Sequence, residues 1–213
     1  MALSFPLALS GFANKLKIIN APFMLKRFVV TSGMGTGDVN TYEVTQPKWY
    51  SDITLAAAEV MDLEEIQAII EAIGPHERFN IFNPKHPYPR LDPTGSILGS
   101  SAVRIYSVGD AQSIRLAGLP FQYQLSVGDM FSFTKDGIPS LHRIVEPVVA
   151  AVTGITNMFE FRPSLPAGVS VNTAITLKKP FCRMMIVQDS FTPGDTQGIV
   201  TGAGMSFSAM EAP

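Results

Sequence analysis

Residues 125–165 read LSVGDMFSFTKDGIPSLHRIVEPVVAAVTGITNMFEFRPSL, and every turn in this stretch is marked. Asp136 and Gly137 are a pair typical of a two-residue β-hairpin, because glycine adopts a positive φ without steric cost. Apolar residues on both sides of the pair alternate with polar ones, which predicts two paired strands. Gly154 turns the chain again, and the alternation resumes until Pro163 stops strand pairing. The stretch predicts an antiparallel β unit, and no catalytic set accompanies it.

The same pattern of short strands bounded by turn residues continues outside this unit. Strands are also predicted at Lys26–Thr31, at 41–57 in two pieces around Pro47, and at Ala174–Leu177. An apolar strand near the C-terminus, Met205–Ser208, is expected to pair back into an existing sheet. Regular short strands of this kind are typical of a β-sandwich or a β-barrel.

Residues 62–74 carry the one helical pattern of the chain. Asp62 is a good N-cap with Glu65 three residues on, and Gly74 suits the left-handed position after the last turn. One apolar stripe is made by Leu63, Ile66, Ile69, Ile70 and Ile73. Because a helix this short is not stable alone in water, we expect the stripe to pack on a sheet.

The low fraction of charged residues indicates whether the chain has protein partners. Apolar residues make up 46% of the chain and charged residues only 16%, which is low against a typical quarter. We interpret the deficit as surface covered by neighbouring subunits, while a neutral monomeric β domain stays open as the alternative. A net charge of −2 gives no basic footprint for nucleic acid. No apolar run approaches the ~18 residues of a membrane span, and we expect no secretory signal.

Candidates for chemistry are few. The single cysteine, Cys182, allows no intramolecular disulfide, and with His142 it could form a thiol dyad in space. A cysteine in an apolar strand is more often part of a core, and so is a lone tryptophan such as Trp49. His76 and His86 do not have a metal-ligand spacing. We therefore predict no catalytic residue, no metal and no cofactor.

Two loop-like segments are the candidates for subunit contacts. Thr31–Asn40 is rich in glycine, and no helix follows it, so it does not fit a phosphate-binding loop. Asn83–Arg90 is rich in proline and extended. The predicted contact residues are Gly33, Gly35, Gly37, Asp38, Lys85, Tyr88 and Arg90.

The order of several short motifs resembles one family. A strand with Trp49 precedes the helix EEIQAIIEAIG, the strand RFNIFNP and a YPR loop. LSVGDMFSF, LHRIVEP, FEFRPSLP and LKKPFCRMM follow in that order. This succession is similar to the distal-tail, or baseplate-hub-collar, proteins of long-tailed bacteriophages, and the similarity covers most of residues 40–187.

The resemblance implies a structural virion protein and not an enzyme. It implies a mainly β chain: a β-sandwich with one packed α-helix, from residues 1–95 and 178–213, plus an inserted small β-barrel-like domain at 96–177. Six copies would form a ring at the phage tail tip, assembled in the host cytoplasm. The partners would be the tail tube protein, the baseplate hub and tail fibre proteins, with no sequence-specific nucleic acid and no membrane.

Two alternatives stay open. One is a tail-associated module that binds host polysaccharide, which Tyr88, Trp49 and Phe121 in one groove would favour. The other is a hydrolase or self-cleaving domain that uses Cys182 and His142; self-cleavage is disfavoured because no cysteine or serine stands at an obvious splice junction.

Overall fold

The structure, a computed structural model, describes residues 3–33, 39–197 and 201–212. Over these residues the chain is mainly β with one helix, and it has two curled antiparallel sheets, or half-barrels, and a small two-stranded sheet. The prediction of a mainly β chain with one helix is confirmed. In chain order the elements are β1 Ile18–Asn20, β2 Met24–Gly33, β3 Val39–Leu55, β4 Ala58–Glu59, α1 Val60–Ala72, β5 Phe79–Phe82, β6 Arg104–Asp110, β7 Ser113–Ala117, β8 Gln124–Leu125, β9 Met130–Lys135, β10 Ile138–Ile144, β11 Val148–Val149, β12 Phe159–Arg162, β13 Phe181–Ile186, β14 Asp195–Gln197, β15 Thr201–Ala203 and β16 Ser206–Glu211.

The larger half-barrel has six strands and joins the two ends of the chain. Its order is β1–β3–β16–β13–β5, and β2 pairs with β3 beside β1. The C-terminal strand β16 lies between β3 and β13, as predicted for an apolar strand at this end. The second half-barrel has the order β6–β7–β12–β10–β9, β8 pairs with β11, and β14–β15–β4 form a short three-stranded sheet.

The predicted hairpin turn is confirmed between β9 and β10. Asp136 and Gly137 have φ values of 51° and 77°, so both central residues are left-handed. Two left-handed residues match the right-handed twist of the strands, which then pair from Lys135 with Ile138 to Met130 with Arg143.

The helix has different ends from those predicted. It begins at Val60 and ends at Ala72, and the residue before it, Glu59, makes no side-chain capping bond. The predicted cap Asp62 lies in the first turn and accepts a hydrogen bond from Lys17 Nζ at 3.0 Å instead. Gly74 is not left-handed, because the chain leaves the helix through an extended Ile73. Among the described residues, no helix is long and apolar enough to cross a membrane.

Strand β3 is one continuous strand of 17 residues, so the prediction of two pieces around Pro47 is wrong. The pairing with β2 changes register between Lys26 and Phe28, opposite Pro47. A bulge there accommodates a residue that has no N–H group to donate. Of the predicted loop at 31–40, residues 31–33 belong to β2 and residues 39–40 to β3, and residues 34–38 lie outside the described residues.

The buried hydrophobic side chains form two clusters. The first draws on residues 7–81 and 182–209, together with Met130 and Leu141. The second draws on residues 98–177. Trp49 is completely buried in the first cluster, which confirms its prediction as a core anchor.

Candidate functional site

Part of the β2–β3 hairpin stands clear of both clusters. Residues 28–33 of β2 and 39–45 of β3 pair with each other and with no other described strand; we call them the ribbon. Phe28 is half-buried, and five further large apolar side chains of the ribbon are between 47% and 73% exposed: Val29, Val30, Val39, Tyr42 and Val44.

Apolar side chains stand on both faces of the ribbon. Side chains that are directly opposite in an antiparallel pair share a face. Val30 lies opposite Tyr42, whereas Val29 lies opposite Glu43 and therefore on the other face. A two-stranded hairpin is marginally stable by itself, and a contiguous exposed apolar surface marks a place where another surface binds. The ribbon thus has the properties of a protein-contact element.

The open edge of β3 begins at a half-buried carboxyl group, that of Glu211. Pairing of β16 with β3 ends where Met210 faces Tyr50, and the next N–H of β3, that of Trp49, donates to Glu211 Oε2 at 3.0 Å. Burial raises the pKa of Glu211 to about 7, although the Trp49 N–H and the charge of Lys48 act in the opposite direction. From Lys48 outward, this edge of β3 has no partner strand in the described chain.

A groove of about 450 Å³ adjoins this open edge. It separates the start of the ribbon from the β9–β10 hairpin. Its walls include Pro47, Lys48, Lys135, Ile138, Pro163 and Glu211. The groove thus combines proline and aliphatic surface with the charged groups of Lys48, Lys135 and Glu211.

The base of the ribbon is fastened to the second half-barrel. Trp49 Nε1 donates to the carbonyl oxygen of Leu141 at 2.7 Å. The guanidinium of Arg143 lies over the Trp49 ring, 4.8 Å from its centroid, and its Nη2 donates to Phe23 O at 2.9 Å. These contacts hold the direction in which the ribbon leaves the body of the protein.

The predicted contact residues fall in two places. Gly33 is the last residue of β2, at the far end of the ribbon. Gly35, Gly37 and Asp38 lie outside the described residues.

The other three predicted residues lie on the segment after β5, and of these Lys85 lines a pocket with Phe23, next to the start of β2. Lys85 and Arg90 are exposed, and Tyr88 is half-buried beside Gly95. The backbone N–H of Arg90 donates to Asp129 Oδ1 at 2.9 Å, which fixes the YPR loop on the β9 turn. Gly33 and Lys85 are therefore not brought together.

The His142 and Cys182 side chains are both buried and have separate partners. His142 Nδ1 lies 2.9 Å from Pro163 O, and its Nε2 lies 2.9 Å from Ser140 Oγ. Burial lowers the pKa of His142 to about 4 and raises the pKa of the Cys182 thiol well above its ordinary value. A thiol with a raised pKa is a poor nucleophile, so this arrangement is that of two core residues.

Other ligand sites receive little support from the described residues. Within them, no group of three His, Cys, Asp or Glu side chains is placed to hold a metal ion. Trp49 cannot stack on a sugar because it is completely buried. The aromatic groove with Tyr88 and Phe121 that would favour polysaccharide binding therefore lacks one of its three members.

Sequence reasoning missed the two main features of this site. Strands were predicted at Lys26–Thr31 and from residue 41 onward, but their apolar side chains, such as Val30 and Tyr42, were not predicted to stand exposed. Arg143 was missed because its partners Trp49 and Phe23 are about a hundred residues away in sequence, and no local pattern indicates such contacts.

Comparison with known proteins adds no relative. No model of a known protein family matches the chain, and no curated protein matches its sequence. The resemblance to distal tail proteins thus depends on the order of the motifs.

Proposed function

We propose that the protein is a structural component of a phage tail tip, a distal tail protein and not an enzyme. Six copies form a ring that joins the tail tube to the baseplate hub and tail fibres in the virion. The ribbon is the observation that supports this proposal, because its apolar side chains have no cover within the described chain. In a ring each subunit buries two different faces against its neighbours, so the apolar side chains of the ribbon, which are exposed in a monomer, become buried.

In this proposal the two clusters correspond to two domains. Residues 1–95 and 178–213 form the β-sandwich ring domain, and residues 96–177 form an inserted, small β-barrel-like domain. The distribution of buried side chains supports this division, since among the described residues only Met130 and Leu141 of the inserted segment belong to the first cluster. The Trp49–Leu141 hydrogen bond then becomes a contact between the domains.

Matched pairs on the ribbon test the proposal. Val30 and Tyr42 form an apolar pair, and Thr31 and Thr41 form the polar pair next to it. We expect the wild type and the Thr31→Ser/Thr41→Ser control to form rings in light scattering and negative-stain microscopy. Val30→Ser/Tyr42→Ser should be monomeric with an unchanged circular dichroism spectrum, because exposed substitutions leave the core intact.

Two results would count against the proposal in different ways. A wild-type chain that is monomeric at tens of micromolar and inside assembled tails rules out the ring. Rings that persist in the Val30→Ser/Tyr42→Ser variant show that the contact lies elsewhere. Deleting residues 33–38 adds a second readout, since the deletion should weaken the ring and leave the fold unchanged.

A further inference from the structure

A second pocket lies at the start of β2 and is rich in basic groups. Its volume is about 320 Å³, and it is bounded by residues 21–23, the segment 83–86 and β10. The charged and polar side chains in its lining are Asn83, Lys85, His86 and Arg143. No acidic side chain is part of this lining.

Among the described residues, Arg143 in this pocket has no carboxylate as an ion-pair partner. Burial lowers the pKa of its guanidinium, and its contacts are the Trp49 ring and one carbonyl oxygen, that of Phe23. No carboxylate of the described residues lies within 4.0 Å of Arg143 or of Lys85. Arg143 is half-buried, and a guanidinium that is partly removed from water without a counter-charge is destabilised, so the site favours an incoming anion.

The nearest acidic residue along the pocket wall is already engaged. Asp129 follows the lining residue Gly128, and its side chain is buried. Its two carboxylate oxygens accept hydrogen bonds from the backbone N–H groups of Arg90 and Ser126, at 2.9 Å and 2.8 Å. Asp129 therefore does not supply the missing counter-charge.

The backbone that carries the second cation of the pocket, Lys85, is held by hydrogen bonds. The N–H of Lys85 donates to the Asn83 side chain at 3.0 Å, and the N–H of His86 donates to Asn83 O at 3.1 Å. Asn83 itself is buried beside Met130. The turn that carries Lys85 is thus formed before any ligand arrives, which lowers the entropy lost on binding.

We propose that this pocket binds a carboxylate side chain of a partner polypeptide. Arg143 donates two hydrogen bonds to the carboxylate, and Lys85 supplies a second positive charge. The planar guanidinium matches a carboxylate with two parallel hydrogen bonds. The pocket also contains Pro22 and Phe23, which suit the apolar stem of a glutamate. The site goes beyond the proposed ring and does not depend on its formation.

The only tryptophan of the chain provides the readout, because Arg143 lies over its ring. We expect hexaglutamate peptide to change the Trp49 fluorescence with saturation and hexaglutamine to leave it unchanged. Inorganic phosphate should bind at least tenfold more weakly than hexaglutamate. Lys85→Glu reverses the charge of an exposed side chain and should weaken peptide binding at least tenfold without altering the thermal melt.

Arg104→Glu is the matched control, since it makes the same change in net charge at an exposed position on β6. It should bind hexaglutamate like the wild type. Equal losses in the Lys85→Glu and Arg104→Glu variants would overturn the site in favour of general charge attraction. Saturable binding of hexaglutamine, or phosphate binding tighter than that of hexaglutamate, would overturn its assignment to a carboxylate.

Discussion

Both halves of β3 carry large apolar side chains, and the two halves have opposite surroundings. In the inner half Trp49, Ile53 and Leu55 are buried, whereas in the outer half Val39 and Tyr42 are 66% and 73% exposed. Apolar and polar residues alternate in both halves. The inner half has β16 on one side and β1 or β2 on the other, while the outer half has β2 alone. Alternation therefore predicts that a strand forms, and the rest of the chain decides whether its apolar face is covered.

The largest difference between the halves should appear when their aromatic residues are removed. Trp49→Ala should lower the free energy of unfolding by about 3–5 kcal/mol, the range for a large side chain deleted from a core. It also leaves the Leu141 carbonyl and the Arg143 guanidinium without their partner. Urea denaturation of the monomer, followed by circular dichroism, measures this loss. A loss below about 1 kcal/mol would show that the inner half is not the anchor.

The boundary between the halves should respond to pH through Glu211. Its pKa is raised from 4.5 to about 7 in the folded state, so the folded state holds this proton more tightly. The stability that results is complete below about pH 4.5 and is lost as the pH rises through about 7, by at most about 1.4 kcal/mol per pH unit. Glu211→Gln should remove this dependence.

The stability of the wild type also depends on pH through His142, so the effect of Glu211 has to be measured as the difference between the wild type and Glu211→Gln. The pKa of His142 is lowered from 6.5 to about 4, so His142 makes stability rise with pH between those values. Subtracting the wild-type curve from that of Glu211→Gln cancels this contribution. The difference should grow in favour of the variant from about pH 5 to about pH 8. A constant difference would mean that Glu211 titrates normally and that the boundary is open to water.

The smallest effect is expected in the outer half. Tyr42→Ala should change the free energy of unfolding of the monomer by no more than about 0.5 kcal/mol, because the Tyr42 side chain is exposed and buries little surface in the monomer. The same urea denaturation, at a protein concentration below that of assembly, measures it. A loss close to that of Trp49→Ala would show that the ribbon folds against its own chain.

Local signals in the sequence predicted much of the β framework. The Asp136–Gly137 pair specified its turn because the conformation depends on those two residues alone. Trp49 was recognised as core, and the helix was located within two residues at each end.

Errors arose where distant residues decide the local conformation. The Asp62 carboxylate, which was expected to cap the helix, accepts a hydrogen bond from Lys17 instead. Pro47 does not interrupt β3 because β2 accommodates it with a change of register. Residues 174–177 form only isolated bridges, from Ala174 to Arg104 and from Thr176 to Ser132, instead of the predicted strand.

The continuity of β3 has a mechanical consequence. Because one strand runs from the far end of the ribbon to Leu55, a pull along the ribbon reaches the body of the protein without passing through a flexible joint. The β3–β16 hydrogen bonds lie across that direction, so a tensile load would stress them together in shear and would not unzip them one after another. A subunit held by its neighbours through the ribbon would then yield to force first at the ribbon's contact and only later in its own sheet.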